Sequence, residues 1–431
     1  MRQHNRFRPH GTAISMILAS AMVAGCGGSS MNSGSMDPNP PPGMPSSPDA
    51  PPAVMQAKQA NAPVDPSIVT ADNTFGVNLF QKLNAGASGN VAIAPISVAM
   101  ALQIVYNGTV SGATQQGMSQ TLQLGSMSMQ VLNDDNAALQ ASLLNPDPQV
   151  QLTIANSLWM HLGMNSVPAA FTQMDQNYYG ATVGDLAGAP ANVNDWVSTE
   201  TNGLITSILP AGNYDSVVAV IANAIYFKGQ WATAFDPGQT APAPFTLADG
   251  SQVSVPMMHQ AATYGYFQGT NFQALRLPYG MGRMSMLVVM PDAGTSFSSF
   301  AAGVTADTLK TWAGQVQDGY GTVALPRFTT AYGASLVGAL TSLGMQAAFC
   351  SDPNAGFPGI GLVCLGDVEH KTVVQVDETG TVAAGATGIT VMPVAVQAPL
   401  FNVTLDHPFL YAIRDDQTGE LLFIGSMLNP S

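Results

Sequence analysis

Few side chains in this chain of 431 residues are of the types that perform acid–base or nucleophilic catalysis. Beyond the first ten residues the histidines are His161, His259, His370 and His407. A serine hydrolase would place its nucleophile in a G-x-S-x-G turn, and the sequence contains no such pattern. The neighbouring carboxylates Asp134-Asp135 and Asp415-Asp416 are predicted to face solvent rather than to form an acid and base pair. These residues predict that the protein is not an enzyme.

The chain has three cysteines, Cys26, Cys350 and Cys364. Zinc sites use cysteines or histidines at short spacings, and the sequence has neither a C-x-x-C nor an H-E-x-x-H pattern. We therefore expect no metal site and no cofactor. In an oxidising compartment Cys350 and Cys364 could close a disulfide across the intervening loop. The alternative is a pair of free buried thiols.

The chain is strongly acidic, with 12 basic against 26 acidic residues and a formal net charge of −14. No Lys or Arg occurs between Lys82 and Lys228. Because a surface that binds phosphate or sulfate groups needs clustered cations, the composition argues against nucleic-acid partners and against a heparin-type activator. Hydrophobic residues make up 46% of the chain and charged residues only 9%, which predicts a folded domain rather than a disordered one.

Residues 1–25 are expected to be an export signal. Arg2, Arg6 and Arg8 form a basic start, and the apolar stretch 13–23 is too short to span a bilayer. This stretch ends in Val-Ala-Gly-Cys, which resembles the bacterial lipobox, so Cys26 is predicted to be the lipidated first residue of the mature protein. The alternative is a plain signal peptide followed by an incidental cysteine.

Residues 26–66 are rich in Ser, Gly, Pro and Met, which predicts an extended linker. One folded domain is expected over residues 67–431. The lipid would attach this domain to a bacterial outer membrane or cell surface, with the domain in the periplasm or outside the cell. Apart from this anchor we expect no contact with a membrane.

Hydrophobic periodicity predicts helices mainly in the first part of the domain and strands in the later part. A first helix, capped by Thr70 or Asp72, would carry an apolar face made of Phe75, Leu79, Phe80 and Leu83. Further helices are predicted at 97–106, 194–201 and 334–343. Strands are predicted at 150–160, 217–227, 284–290, 322–328 and 373–376, with three more between 401 and 427. This order predicts an α+β fold with large antiparallel sheets.

The segment 377–391, DETGTVAAGATGITV, does not fit a core element in either common form. Its three glycines weaken any helix, and its small Ala and Thr side chains bury little area as a strand. It nevertheless contains no proline, and no charged residue follows Glu378 until Asp406. The segment can therefore lie exposed as a loop and still enter a sheet between two strands without burying a charge. This dual capacity indicates a conformational trap.

Several segments of the chain carry the motifs of a known family. They are NVAIAPISVAMALQIVYNGTVSGAT (90–114), DWVSTETNGLI (195–205), ANAIYFKGQWATAFDP (222–237), DGSQVSVPMMHQ (249–260), LPRF (325–328), VEHKTVVQVDETGTVAAGAT (368–387) and DHPFLYAIRDDQTGELLFIGSMLNP (406–430). In this order and at this spacing they resemble the serpins, from about Asp72 to Pro430. The resemblance implies a serpin fold with three β-sheets, eight or nine helices and an exposed reactive-centre loop.

In serpins a protease cleaves the reactive-centre loop and stays attached to it as an acyl-enzyme. The N-terminal part of the loop then enters the main sheet as an added strand and carries the protease across the molecule. The resemblance thus implies a monomeric inhibitor that traps a serine protease in a covalent complex. The alternative is a non-inhibitory, serpin-like surface binding protein.

The hinge of this loop corresponds to Glu378 and to the residues Gly380, Thr381, Val382, Ala383, Ala384, Gly385 and Ala386. In an inserted strand alternate side chains point into the core, beginning here at Thr381. These inward residues are all small and uncharged: Thr381, Ala383, Gly385 and Thr387. Non-inhibitory members commonly carry bulky, charged or Pro residues here, so the hinge favours inhibition. Val382 replaces the usual Glu, at an outward position.

Two features beside the hinge also match the family. Glu378 and Arg327 correspond to an ion pair beneath the hinge, and the alternative is two unrelated surface charges. As an exposed pair they would contribute only about 0–1 kcal/mol. Trp231 corresponds to the point where the main sheet opens.

A buried polar network controls strand separation in the family, and Ser97, Asn223 and His370 correspond to it. Such side chains must satisfy one another's hydrogen bonds. Ala94 stands where a Ser is usual, so the network is expected to lack one hydroxyl. Considered alone, His370 would be interpreted as a hydrogen-bonded core histidine.

The spacing of the family places the reactive bond between Val394 and Ala395. A small β-branched residue before the bond fits the shallow pocket of elastase-like proteases, so an elastase-like or chymotrypsin-like target is expected. No Lys or Arg occurs within 372–413, which argues against a trypsin-like target. The stretch after the bond is longer than usual in the family, so cleavage beside Met392, Ala395 or Val396 is the alternative.

Overall fold

The structure is a computed structural model that describes residues 63–144, 147–163, 167–362, 364–381 and 398–431. Within these ranges lie nine α-helices: α1 (Pro66–Asn84), α2 (Pro95–Tyr106), α3 (Ala113–Thr121), α4 (Met129–Leu143), α5 (Ala169–Tyr179), α6 (Ala191–Glu200), α7 (Phe297–Ala302), α8 (Ala306–Gln315) and α9 (Val337–Leu340). In the same part of the chain, no helix is long and apolar enough to cross a membrane.

The described residues also form fifteen strands, and the predicted α+β class is confirmed. The strands are β1 (Val91–Ile93), β2 (Val150–Met160), β3 (Thr182–Asp185), β4 (Ala219–Gln230), β5 (Ala241–Thr246), β6 (Gln252–Gln268), β7 (Phe272–Tyr279), β8 (Met284–Pro291), β9 (Gln317–Pro326), β10 (Phe328–Ser335), β11 (Asp367–Val376), β12 (Gly380–Thr381), β13 (Phe401–Thr404), β14 (Phe409–Asp415) and β15 (Leu421–Met427).

A six-stranded sheet has the strand order β10-β11-β12-β4-β2-β3, and we call it the main sheet. The apolar run of β4 is buried over its first nine residues, as expected for a central strand. β4 is antiparallel to β2 along its length, with Val150 opposite Gly229 and Met160 opposite Ala219. β11 is antiparallel to β10 but parallel to β4. Because β4 and β11 run in the same direction, a strand between them can be antiparallel to both.

The remaining strands form a nine-stranded network in the order β1-β15-β14-β8-β7-β6-β9-β13, with β5 beside β6. The long strand β6 pairs with β5 through residues 252–257 and with β7 through residues 265–268. The network can therefore be counted as two sheets that share β6. Together with the main sheet they correspond to the three sheets that the resemblance implies.

Helix α2 occupies the centre of the molecule, and every one of its 12 residues is buried. Pro95 occupies the first turn, where its missing N–H costs no hydrogen bond. The helix contacts β2 and β4 of the main sheet and β15 of the other network. The predicted apolar helix thus lies between the sheets and brings the side chain of Ser97 beneath the main sheet.

Helix α1 begins earlier than the sequence predicts. Its N-cap is Asp65, whose carboxylate accepts a hydrogen bond from the Ser67 N–H at 2.8 Å. Thr70 and Asp72 are not caps: both lie inside the helix, and Asp72 is fully buried. The predicted cap was wrong because Asp72 lies three residues before Phe75, on the apolar face of the helix.

The outer face of the main sheet is covered by α6 and the segment that follows it. A separate hydrophobic cluster fills this interface; its buried members are Trp159, Leu186, Val193, Val197, Ile205, Ile208, Leu209, Val220, Ala222 and Ala224. Lys371 of β11 donates a hydrogen bond from Nζ to the carbonyl oxygen of Ser207 at 2.7 Å. The segment after α6 is therefore bound to a strand that flanks β12.

Cys350 and Cys364 form a disulfide, with their Cα atoms 4.9 Å apart. The bridge lies beside the isolated β-bridge between Phe349 and Leu365. It closes the loop that immediately precedes β11, and so it lies at the start of that strand.

Candidate functional site

The hinge begins inside the main sheet. Gly380 and Thr381 form the short strand β12, which lies between β11 and β4. Thr381 is opposite Val376 of β11 and opposite Gly229 of β4. A Cβ atom at Gly380 would lie 2.0 Å from the Gly229 carbonyl oxygen. Only glycine fits this close backbone approach. This explains why a glycine stands at position 380, where the hinge enters the sheet.

Beyond β12 the two flanking strands separate and then rejoin. β11 and β4 are paired directly only through residues 367–371 and 220–224. Between these pairs and β12 lie residues 372–375 of β11 and 225–228 of β4, and no ladder pairs join the two stretches. We call this region the gap. The gap is a ready place for a further strand, since each of its edges presents backbone groups to the space between them.

Trp231 fixes the backbone just before β12. Its indole Nε1 donates to the Asp377 carbonyl oxygen, and its backbone N–H donates to the Thr379 carbonyl oxygen, each at 2.9 Å. The Phe235 N–H donates to the Glu378 carbonyl oxygen at 2.8 Å. Three successive hinge carbonyls are thus held by the segment that follows β4.

Tyr279 anchors the first inserted side chain. Its hydroxyl lies 2.6 Å from the Thr381 hydroxyl, and its ring stacks on Trp231 with the centroids 4.5 Å apart. Tyr279 is fully buried, and burial raises the pKa of its phenol, so the hydroxyl is neutral. Nothing in the sequence marks Tyr279 as a contact of the hinge. An isolated Tyr at the end of an apolar run is normally a core residue, and only the fold brings it to the hinge.

Glu378 and Arg327 lie together, as the resemblance implies, and their side chains form an ion pair. Glu378 also accepts a hydrogen bond from the Thr240 hydroxyl at 2.7 Å. The Glu378 side chain is only 8% exposed, whereas that of Arg327 is 47% exposed. Burial opposes ionisation of Glu378, but the hydrogen bonds from Thr240 and Arg327 outweigh it and lower the pKa. The carboxylate is therefore part of the folded hinge rather than a surface charge.

The structure brings Ser97, Asn223 and His370 into one buried network. The Asn223 side-chain NH₂ donates to the Ser97 hydroxyl at 2.5 Å and to the Asn156 Oδ1 at 2.6 Å. The Asn223 Oδ1 lies 3.2 Å from the His370 Nδ1. Asn223 belongs to β4 and His370 to β11, and they are opposite each other in the ladder. The network therefore spans the junction of the two strands where the gap ends.

His370 is neutral, and its tautomer follows from its partners. Burial lowers its pKa to about 3. Its Nε2 accepts a hydrogen bond from the Ala94 backbone N–H at 3.2 Å, so its proton lies on Nδ1 and is donated to Asn223. Ala94 supplies a backbone donor although it lacks the usual hydroxyl. Within the part of the chain that the structure describes, Asn156 Nδ2 of the same network has no hydrogen-bond partner.

Replacing His370 by Leu should lower the free energy of unfolding by about 2–6 kcal/mol. The variant leaves the Ala94 N–H and the Asn223 Oδ1 buried without partners, and each unsatisfied group costs about 1–3 kcal/mol. Urea unfolding of the intact protein measures the change. Thr329→Ala, on an exposed position of β10, serves as the control and should change stability by less than about 0.5 kcal/mol. Equal stability of the two variants would show that the network is not structural.

Some predicted positions lie outside the described residues. They are Cys26, the reactive-bond residues Val394 and Ala395, and the hinge residues Val382, Ala383, Ala384, Gly385 and Ala386. Over the ranges that the structure describes, no group of three or more His, Cys, Asp or Glu side chains is placed to hold a metal ion.

Comparisons with known proteins agree with this architecture. The family model for serpins, serine protease inhibitors, matches residues 70–430. A serpin-like protein of Thermococcus kodakarensis is 33% identical, over 84% of this chain and 86% of its own length. The human leukocyte elastase inhibitor is 31% identical, over 84% of this chain and 99% of its own length.

Solved structures show the same fold. The native state of the thermophilic serpin tengpin has a TM-score of 0.78 and 27% identity, covering 85% of this chain and 95% of tengpin. Human thyroxine-binding globulin in complex with thyroxine has a TM-score of 0.75 and 26% identity, covering 84% of this chain and 98% of the globulin. Members of the family are typically protease inhibitors rather than enzymes. With these motifs, this strand order and these relatives, the chain belongs to the serpin family.

Proposed function

We propose that this protein inhibits a serine protease by inserting its cleaved reactive-centre loop into the main sheet. The observation that carries the proposal is the position of Gly380 and Thr381. They already form a strand between β11 and β4, directly beside the gap. Because the loop begins within the sheet, it needs only to continue along the gap for the inserted strand to lengthen.

The register of β12 fixes where each further residue would lie. Continued from Thr381, the register sets residue 385 opposite residue 372 of β11 and opposite residue 225 of β4. In the inserted form, residues 382–385 would thus fill the gap without breaking any existing pair. Residue 386 would lie opposite Lys371 and Ala224, which are themselves paired. From that residue onward, insertion requires β11 and β4 to separate.

Separation has a definite cost. Five residue pairs join residues 367–371 to residues 220–224, and one of them is His370 with Asn223. The hydrogen bond between these two side chains must therefore break as the loop passes. The segment after α6 must also move, because Lys371 binds the Ser207 carbonyl oxygen over this face of the sheet. These contacts form the barrier that keeps the uncut protein in its native state.

The gain comes from the loop itself. Its inward residues after Thr381 are small and uncharged, so the inserted strand neither overpacks the core nor buries a charge. Each ladder hydrogen bond contributes about 0.5–1.5 kcal/mol net. A row of about ten such bonds would stabilise the inserted form by about 5–15 kcal/mol, enough to drive the separation of β11 and β4.

We further propose an elastase-like or chymotrypsin-like target, cleaved between Val394 and Ala395. The small side chains around this bond suit a shallow specificity pocket, and residues 372–413 contain no Lys or Arg for a trypsin-like enzyme. The 31% identity to the leukocyte elastase inhibitors supports the same class. Cleavage beside Met392, Ala395 or Val396 is the alternative for the bond.

We also propose that the protein is exported and lipid-anchored through Cys26, and that it acts as a monomer. The basic n-region, the short apolar stretch and the Val-Ala-Gly-Cys sequence support the anchor. Residues 1–25 would be removed, 26–66 would be the linker and 67–431 the serpin domain.

The proposal is tested by incubating the protein with neutrophil or pancreatic elastase and separating the products by denaturing gel electrophoresis. We expect a covalent adduct that survives SDS, and mass spectrometry of that adduct identifies the cleaved bond. Complete cleavage without an adduct would instead favour the non-inhibitory binding protein. A parallel reaction with trypsin should give neither a covalent adduct nor cleavage at the 394–395 bond.

A further inference from the structure

A second unusual site lies away from the hinge, between α1, α2 and the hairpin that joins β14 to β15. Asp72 of α1, Gln103 of α2 and Glu420 of the hairpin are all 0% exposed. The Gln103 Nε2 donates to the Asp72 Oδ1 at 2.9 Å. The other four side-chain oxygens have no hydrogen-bond partner among the described residues: Asp72 Oδ2, Gln103 Oε1, Glu420 Oε1 and Glu420 Oε2. Four buried acceptors thus lack donors, and we call these three side chains the acid cluster.

The side chain of Asn73, the residue after Asp72, binds the backbone on both sides of Glu420. Its Nδ2 donates to the Gly419 carbonyl oxygen at 2.9 Å, and its Oδ1 accepts from the Leu421 N–H at 2.8 Å. The residues on both sides of Glu420 are therefore bound to the side chain that directly follows Asp72. The two carboxyl groups also influence each other electrostatically.

No cation of the described residues neutralises the acid cluster. Arg283 forms its ion pair with Asp415, and Arg414 forms its ion pair with Asp416. The elements packed around the cluster also carry Lys82, Tyr106, Asp134, Asp135, Asp175, Tyr178, Tyr179, Asp307, Lys310 and Tyr411. Both of these lysines are exposed to solvent. Two ionised carboxylates left here would pay a large desolvation cost and repel each other.

We propose that the acid cluster binds two protons and closes a ring of hydrogen bonds that fastens α1 to the β14–β15 hairpin. In this ring the Gln103 NH₂ donates to Asp72, the protonated Asp72 donates to Glu420, and the protonated Glu420 donates to the Gln103 Oε1. Each of the three side chains then donates once and accepts once. With two protons bound, each of the four unpartnered oxygens takes part in a hydrogen bond, which a single proton cannot achieve.

The titration behaviour of these groups agrees with the geometry. Burial raises the pKa of Asp72 to about 7, although the bond from Gln103 acts in the opposite direction. Burial, followed by the charges of Asp72 and Asp415, raises the pKa of Glu420 well above its ordinary value. In the unfolded chain both groups lose their protons near their ordinary values. The folded protein therefore holds extra protons at mildly acidic pH, and the ring's contribution to stability is lost as the pH rises through the folded pKa values.

The test compares the intact protein with the double variant D72N/E420Q. Its two side-chain amides supply the same donors and acceptors as the protonated acids, but they cannot ionise. We expect the double variant to melt well above the natural protein at pH 8 and less far above it at pH 5, so that the difference in Tm changes by on the order of 10 °C. Taking the difference between the two proteins removes the opposing titration of His370, which both share. D215N/E200Q, which removes the same charge outside the cluster, should leave the difference near zero at both pH values.

Two outcomes would overturn the proposal. One is a double variant whose Tm follows that of the natural protein in parallel at all pH values. The other is a rise in the Tm of the natural protein at pH 8 when CaCl₂ replaces EDTA, together with no such rise in the double variant. That result would show that the four oxygens bind a cation instead of protons. If the double variant does not fold, infrared difference spectra of D175N/E369Q decide the question, because burial also raises the pKa of Asp175 to about 8 and that of Glu369 to about 7. A protonated-carboxyl band that disappears between pH 6 and pH 9 in this variant supports the ring, and its absence at pH 6 contradicts it.

Discussion

Replacing Thr381 by Arg should abolish formation of the SDS-resistant protease adduct while leaving cleavage of the loop intact. Thr381 is 1% exposed and its hydroxyl lies 2.6 Å from that of Tyr279. A guanidinium at this position would be buried without a carboxylate partner, which costs about 3–5 kcal/mol. Because β12 contains only two residues, the uncut variant can avoid this cost by releasing β12 from the sheet, whereas the inserted form must bury the guanidinium. Insertion would therefore be disfavoured relative to the uncut state. The protein should become a substrate that is cut and released.

The measurement is the ratio of adduct to cleaved protein after reaction with excess elastase. Thr381→Ser keeps the hydroxyl that faces Tyr279 and should retain most of the adduct, so it serves as the matched control. Tyr279→Phe removes only the hydroxyl on the other side of this contact and should reduce the adduct partially. If Thr381→Arg formed as much adduct as the natural protein, burial of this residue in the inserted strand would not be part of the mechanism.

Cleavage of the loop in the absence of a trapped protease should raise the unfolding midpoint by about 20 °C. The inserted strand adds about ten ladder hydrogen bonds at about 0.5–1.5 kcal/mol each, and about 1 kcal/mol shifts the midpoint of a large domain by about 2 °C. The direction is unusual, because cutting a chain in a loop normally leaves stability unchanged or lowers it. Only a native state of higher free energy than its cut form behaves in this way.

This second experiment uses thermal unfolding, followed by circular dichroism, before and after limited cleavage within 391–397. Cut Thr381→Arg protein provides the control, because its loop is equally broken but cannot enter the sheet, and its midpoint should not rise. An unchanged midpoint in the natural protein after complete cleavage would rule out insertion. It would leave the serpin fold untouched and favour the non-inhibitory function.

Much of the fold follows from sequence patterns. The continuous apolar run that becomes β4 and the apolar helix α2 are recognisable because a buried element needs no polar face. The motifs around Asn223, Trp231 and His370 led to side chains that do lie at the junctions of β4 and β11. These predictions depend on local composition and on a resemblance that spans nearly the whole domain.

Other features depend on contacts between residues that are far apart in the sequence. That Gly380 and Thr381 lie within the sheet follows from the space between β11 and β4 and from the Tyr279 hydroxyl, and none of these is visible in the loop sequence. The burial of Glu378 depends on Thr240, a residue 138 positions away along the chain. Asp72 resembles a helix cap because Asp is common at N-cap positions. Its spacing to Phe75 nevertheless places it on the apolar face of the helix.

On the proposed mechanism, the length of the gap sets how far a captured protease would travel before β11 and β4 must separate. Each residue of an added strand advances the chain by about 3.3 Å, so the four positions of the gap correspond to about 13 Å. This is less than half of the roughly 30 Å diameter of a small domain, too little to press a protease against the far end of the serpin. Damage to the protease would therefore begin only after the junction at Asn223 and His370 has parted, and whether the acyl-enzyme is trapped or hydrolysed would be decided there.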